Sequence, residues 1–139
     1  MNASTLALTG YIAWFLALLL TLGGLRAGAV LTAHRAPNSF KPDGSDMSPF
    51  AGRLIRAHAN CYESFPFFGG TLLLALATGS TAITDPLALI ALACRVGQST
   101  VHLASTSVMA VNLRFSLFLA QVAIVAYWLV KLCGKFFGI

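Results

Sequence analysis

The stretch RLIRAHANCYESFP, Arg53 to Pro66, places two arginines, a histidine, an asparagine and a glutamate in a chain that is 58% hydrophobic and only 9% charged. Arg53, Arg56, Asn60 and Glu63 follow one another at intervals of three, four and three, so they line one face of a helix. In a soluble helix that stripe is a solvated face. Here its surroundings are too apolar for water. The chain has 139 residues and a mean hydropathy of +0.81, and it reads as four apolar spans near residues 6–27, 49–79, 87–110 and 113–134. Their apolar runs, near residues 6–25, 55–79, 87–110 and 113–132, are each close to the ~20 residues that carry a helix across ~30 Å of hydrocarbon. The expected fold is therefore all-α, an integral membrane four-helix bundle forming a single domain over residues 1–139.

The first span is expected to remain in the mature protein, because residues 1–25 hold no Lys or Arg to form the basic region of a signal peptide. The longest polar segment, within residues 32–48, contains two prolines, a glycine and mixed charge and reads as a loop. The later links are expected at Gly79–Pro86 and Met109–Asn112, short enough to make spans two to four an up-down series. Arg26, Arg35, Lys41, Arg53 and Arg56 cluster around the first loop and Arg114 follows the third link, whereas the second link has no Lys or Arg. The positive-inside rule then places loops one and three in the cytoplasm and both termini on the opposite side. The net charge of +5 is scattered along these spans and does not point to nucleic acid. Cys61, Cys94 and Cys133 lack metal-type spacing, so they read as packed thiols and no metal is expected.

Ser48 and Pro49 are a cap and a first-turn proline, and they start the second helix. A helix from Pro49 to Thr78 is about 45 Å long and overshoots the bilayer. Its polar stripe is matched on the third span by Arg95, Gln98 and His102, with Ser105 and Thr106 continuing the line, and more weakly on the fourth by Arg114 and Gln121. Charged groups facing lipid cost ~2.5–3.5 kcal/mol each. The stripes are expected to converge on an interior cavity near the cytoplasmic side, where Arg53, Arg56, Arg95 and Arg114 outnumber Glu63, the one acidic residue assigned to a span. An excess of guanidinium calls for an anion, and the planar fork suits carboxylates and phosphates. The same residues also admit a structural reading, with Arg56–Glu63 or Arg95–Glu63 as interhelical ion pairs and Asn60 and Gln98 as hydrogen-bonding glue.

The pattern Arg56-Ala57-x-x-Asn60-x-x-Glu63-x-x-Pro66 resembles the second-helix signature of the membrane-associated proteins in eicosanoid and glutathione metabolism. That superfamily holds microsomal glutathione transferases, prostaglandin E synthase and leukotriene C synthase. The segment CRVGQSTVHL and the four spans extend the resemblance over essentially the whole chain. It implies a homotrimer of four-helix subunits that binds glutathione between protomers near the cytoplasmic side. Carried over by position, it makes Arg56, Asn60 and Glu63 glutathione-binding residues, matches Arg95 to an arginine near the trimer core and makes Arg114 the catalytic cation that stabilises the thiolate. Arg53, Gln98 and His102, on the same polar stripes, join the expected glutathione-binding set. The implied partners are a lipophilic small-molecule electrophile and membrane lipid. The chain departs from the pattern at Ala59, where an arginine is frequent, at His102, where a tyrosine is common, and at Gln98, which replaces a histidine. A non-catalytic scaffold and a small anion or lipid carrier are the other function classes these stripes would serve.

Overall fold

The computed structural model describes residues 2–138, which form four helices: α1 (Ala3–Ala33), α2 (Pro49–Ala77), α3 (Thr81–Ala104) and α4 (Val108–Phe137). Side-chain caps fix three of the starts. The Asn2 Oδ1 accepts from the Thr5 N–H at 2.9 Å, Ser48 Oγ from Ala51 at 3.1 Å and Ser107 Oγ from Ala110 at 3.2 Å. Each satisfies one donor that a helix start leaves without an intrahelical partner. Pro49 sits at the first helical position of α2, as its sequence suggests, and Pro66 lies within the helix.

Two links fall earlier than the sequence suggests. The α2–α3 turn is only Thr78–Ser80, and Pro86 lies inside α3. So close to the helix start, the proline's missing N–H frees only the Ala82 carbonyl. The α3–α4 link is Ser105–Ser107, and Met109–Asn112 belong to α4. Ser107 caps too well for the helix to begin later, so Ser105 and Thr106 do not continue the polar line of α3.

These shorter turns bring Asp85 into α3, so Glu63 is not alone among acidic residues inside the helices. The Asp85 carboxylate accepts from the Ser4 backbone N–H at 2.8 Å and from the Ser4 hydroxyl at 2.7 Å, joining the starts of α1 and α3. Nearby, Lys135 Nζ donates to Ser80 Oγ at 2.7 Å. At the other end of the bundle Arg53 Nε donates to the Leu103 carbonyl at 2.7 Å. The four helices therefore alternate in direction.

The interior is packed by Tyr11, Phe68, Leu72 and Trp128, with Ala7, Ala88 and Ala91 allowing helices to approach closely. The Tyr11 ring lies 4.9 Å from Phe68, and its hydroxyl donates to the Cys61 carbonyl at 2.8 Å. Trp128 meets Phe68 edge-on with ring centres 6.1 Å apart. Cys61 is fully buried with its Sγ 3.4 Å from Ser99 Oγ.

Among the described residues, α1, α3 and α4 are long and apolar enough to cross a membrane. This fits a multi-pass membrane protein. The 29-residue α2 does not reach that apolarity, because its first half carries Arg53, Arg56, His58, Asn60 and Glu63. Its outward face exposes Arg56 and Glu63 together with Tyr62, Phe67 and Leu73.

Candidate functional site

The loop between α1 and α2 is tied down by its own side chains. Arg35 pairs with the Asp46 carboxylate, donates to the Asp46 carbonyl at 3.0 Å and holds its guanidinium 4.5 Å from the centre of the Phe40 ring. Arg26 approaches the same ring at 5.8 Å. Gly44 adopts φ +70° where the loop meets α2, and a Cβ there would stand 2.6 Å from Ile55 Cδ1. Glycine meets both demands. Asp43 and Ser45 form a local turn, in which the Asp43 carboxylate accepts from the Ser45 N–H at 3.1 Å and the Ser45 hydroxyl at 2.9 Å.

That turn holds the Asp43 carboxyl below the usual carboxylate range, chiefly through the Ser45 backbone N–H and then its hydroxyl. Because the folded value is depressed, the turn is fully formed above the ordinary aspartate range and is lost as pH falls through the lowered value. The Ser45 amide resonance is expected to titrate below the pH at which a free aspartate would move it. A midpoint at or above the free value would contradict the geometry.

Behind this loop lies a cavity of about 590 Å³ lined by Arg53 and Arg56 of α2, His102 of α3, Arg114 of α4 and the loop residues Asp43 to Ser45. A second cavity of about 290 Å³ adjoins it and is lined by Asn60, Gln98, His102, Arg114, Val111, Phe115 and Phe118. His102, Val111 and Arg114 border both cavities. Of the seven binding and catalytic candidates named from the sequence, six therefore meet across the two cavities: Arg53, Arg56, Asn60, Gln98, His102 and Arg114. Glu63 lines neither and is exposed on the outer face of α2. The ion pairs Arg56–Glu63 and Arg95–Glu63 are not formed. Among the described residues the one salt bridge is Arg35–Asp46.

Arg95 does not face the cavities with the other arginines. It is completely buried, and neutral acceptors surround it instead of Glu63. Nη1 donates to the Asn60 carbonyl and the Ser64 hydroxyl, both at 3.0 Å, and Nη2 donates to Gln98 Oε1. Gln121, placed by its spacing on the weaker stripe of the fourth span, is also buried and donates to Gln98 Oε1 at 2.9 Å. Its role was visible only as an amide placed seven residues after Arg114 in an apolar helix. Ser64 gave no signal, since a serine in a membrane helix commonly bonds its own backbone, and Ser64 Oγ does donate to the Asn60 carbonyl at 2.6 Å. His58 lies outside the site, stacked on Phe15 at 4.6 Å.

The arrangement presents three guanidinium groups from two helices to one cavity, with the Asp43 carboxylate at its edge. Arg56 and Arg114 have no side-chain acceptor among the described residues, and Arg114 Nε is buried without a partner. An excess of guanidinium without carboxylate partners favours an anionic guest. No curated protein and no solved structure matches the chain. The model of the MAPEG family matches residues 4–134, spanning all four helices and both cavities, and the chain belongs to the MAPEG family.

Proposed function

We propose that the chain is a membrane-bound glutathione transferase of the MAPEG type, which ionises the glutathione thiol and delivers it to a lipophilic electrophile. The observation that carries this reading is the convergence of Arg53, Arg56 and Arg114 on a cavity of about 590 Å³, without a carboxylate paired to any of them. Glutathione offers two carboxylates, an ammonium and a thiol. Arg53 and Arg56 receive a carboxylate by charge-assisted hydrogen bonds. Arg114, on the border of both cavities, lies against the sulfur and favours its thiolate form. Asn60, Gln98 and His102 line the smaller, more apolar cavity, which takes the glutathione backbone beyond the sulfur, and the exposed Phe115 at its rim marks where the electrophile enters from lipid.

Assembly into a homotrimer belongs to the same proposal. Glu63 and Arg56 lie on the uncovered face of α2, and a charge left against lipid costs ~2.5–3.5 kcal/mol. A neighbouring copy covers that face and brings Glu63 to the ammonium of the bound peptide. The basic loop end faces the cytoplasm, and the termini lie on the opposite side.

Titration calorimetry of the detergent-purified protein with glutathione tests the reading. Binding is expected, weakened roughly 10-fold or more by Arg56→Ala and by Glu63→Ala, as loss of a charge-assisted hydrogen bond implies. A native chain that gives neither heat nor thermal stabilisation with glutathione rejects the transferase assignment.

A further inference from the structure

The amide groups at the back of the smaller cavity have a direction, and the buried guanidinium sets it. A guanidinium has donors and no acceptor. The Gln98 side-chain atom against Arg95 Nη2 is therefore its oxygen. Gln121 agrees from the other side: its nitrogen is fixed by the Leu117 carbonyl at 2.9 Å, and the same nitrogen donates to Gln98 Oε1 at 2.9 Å. With its oxygen held by two donors, Gln98 can turn only its Nε2 toward Asn60, and that nitrogen donates to Asn60 Oδ1 at 3.1 Å. Asn60 then has its oxygen engaged and its Nδ2 left over. Among the described residues that nitrogen has no acceptor, and Asn60 lines the cavity.

We infer that Gln98 is a positioning residue: held by Arg95 and Gln121, it turns the Asn60 amide so that the NH₂ group faces the smaller cavity, which selects a guest presenting an acceptor oxygen there. The guest group is a carboxylate, a carbonyl or another oxygen without a competing donor. An amine or ammonium at that position meets the Asn60 N–H groups, donor against donor. Arg95 acts at the far end of the chain of amides and never touches the guest. The identity of the guest rests on the transferase reading above, but the orientation of the amides does not.

The test begins without any ligand, on the ¹⁵N-labelled full chain in detergent micelles. Asn60 side-chain NH₂ protons are expected to exchange with water about 10-fold faster than those of Gln98 and Gln121, which point at buried acceptors. Asn60→Asp identifies the Asn60 signal by removing it. In Gln98→Glu the carboxylate beside Arg95 only accepts, so Asn60 must turn its NH₂ inward and its exchange slows to the Gln98 level. Asn60 protons as protected as those of Gln98 in the native chain, or unmoved by Gln98→Glu, overturn the inference. The native-chain comparison decides even if that variant does not fold.

Glutathione binding gives a second, separable readout. Gln98→Glu is expected to raise the Kd about 10- to 100-fold by aiming an oxygen at an anionic guest. Gln98→Met leaves Asn60 free to keep its donor outward, and should raise it less than about 5-fold. Equal losses in the two variants would make Gln98 a direct contact and sink the positioning role. If the native chain binds no glutathione, the transferase reading fails while the exchange measurement still decides the amide chain.

Discussion

Replacing Arg114 by methionine is expected to slow thiol conjugation at neutral pH by about 100-fold while leaving the thermal midpoint and oligomeric state unchanged. An ordinary thiol titrates near ~8.5, so at pH 7 only a few per cent is thiolate. A guanidinium beside the sulfur lowers that value and makes the nucleophile the dominant form. Methionine fills similar space without the charge. The sign of the pH effect follows: a thiol whose pKa is lowered only in the native site reacts at neutral pH, and in the variant the rate climbs with pH through the free-thiol range. Conjugation of a chromogenic dinitroaryl halide, followed from pH 6 to 9, reads both the loss and the alkaline displacement. A variant with the native pH profile, however slow, would remove Arg114 from thiolate stabilisation.

The largest stability effect is expected at Trp128, which is fully buried and is the bulkiest enclosed side chain. Trp128→Ala opens a void beside Phe68, which meets the indole edge-on. Large-to-small changes of this type destabilise by ~3–5 kcal/mol, because the surrounding structure collapses only in part. Lipid tails make the argument sharper. Inside a bilayer the interior is held by packing and not by the exclusion of water, so the vacated contacts are the main loss. Trp128 Nε1 has no acceptor among the described residues, so Trp128→Phe forfeits shape alone and should lie well above the alanine variant in a thermal-unfolding series. Equal midpoints for the native and alanine chains would show that this part of the bundle is not tightly packed.

Much of the architecture was readable because lipid is a strict solvent. Four long apolar runs interrupted by one polar loop leave few alternatives to four helices, and the Ser48–Pro49 start was visible as capping chemistry. The short links were less legible. A proline is normally read as a boundary, yet Pro86 is carried inside α3 because it lies so near the helix start that its missing N–H frees only the Ala82 carbonyl. The Ser105–Ser107 link was hidden among residues that also fit a polar helical line.

The site was legible as a set of faces and not as a division of labour. Periodicity put Arg95 on the same face as Gln98 and His102, which is true. Depth and amide geometry then separate them, burying Arg95 among neutral acceptors while Arg114 borders both cavities. Spacing along a helix tells which side chains share a side. It does not tell which of them a neighbouring helix will seal. Glu63 makes the same point in reverse, since its place on the polar stripe is clear but no side chain pairs with it among the described residues.

The contact of Ser4 with Asp85 and that of Lys135 with Ser80 bring the two tails of the polypeptide out at one end of the bundle, far from the clasped loop. An affinity handle or fluorescent reporter fused to either tail emerges on that same face and leaves the mouth of the larger cavity unobstructed. Tethering the protein to a sensor surface by a tail would therefore present the guest-accepting face to the flowing solution.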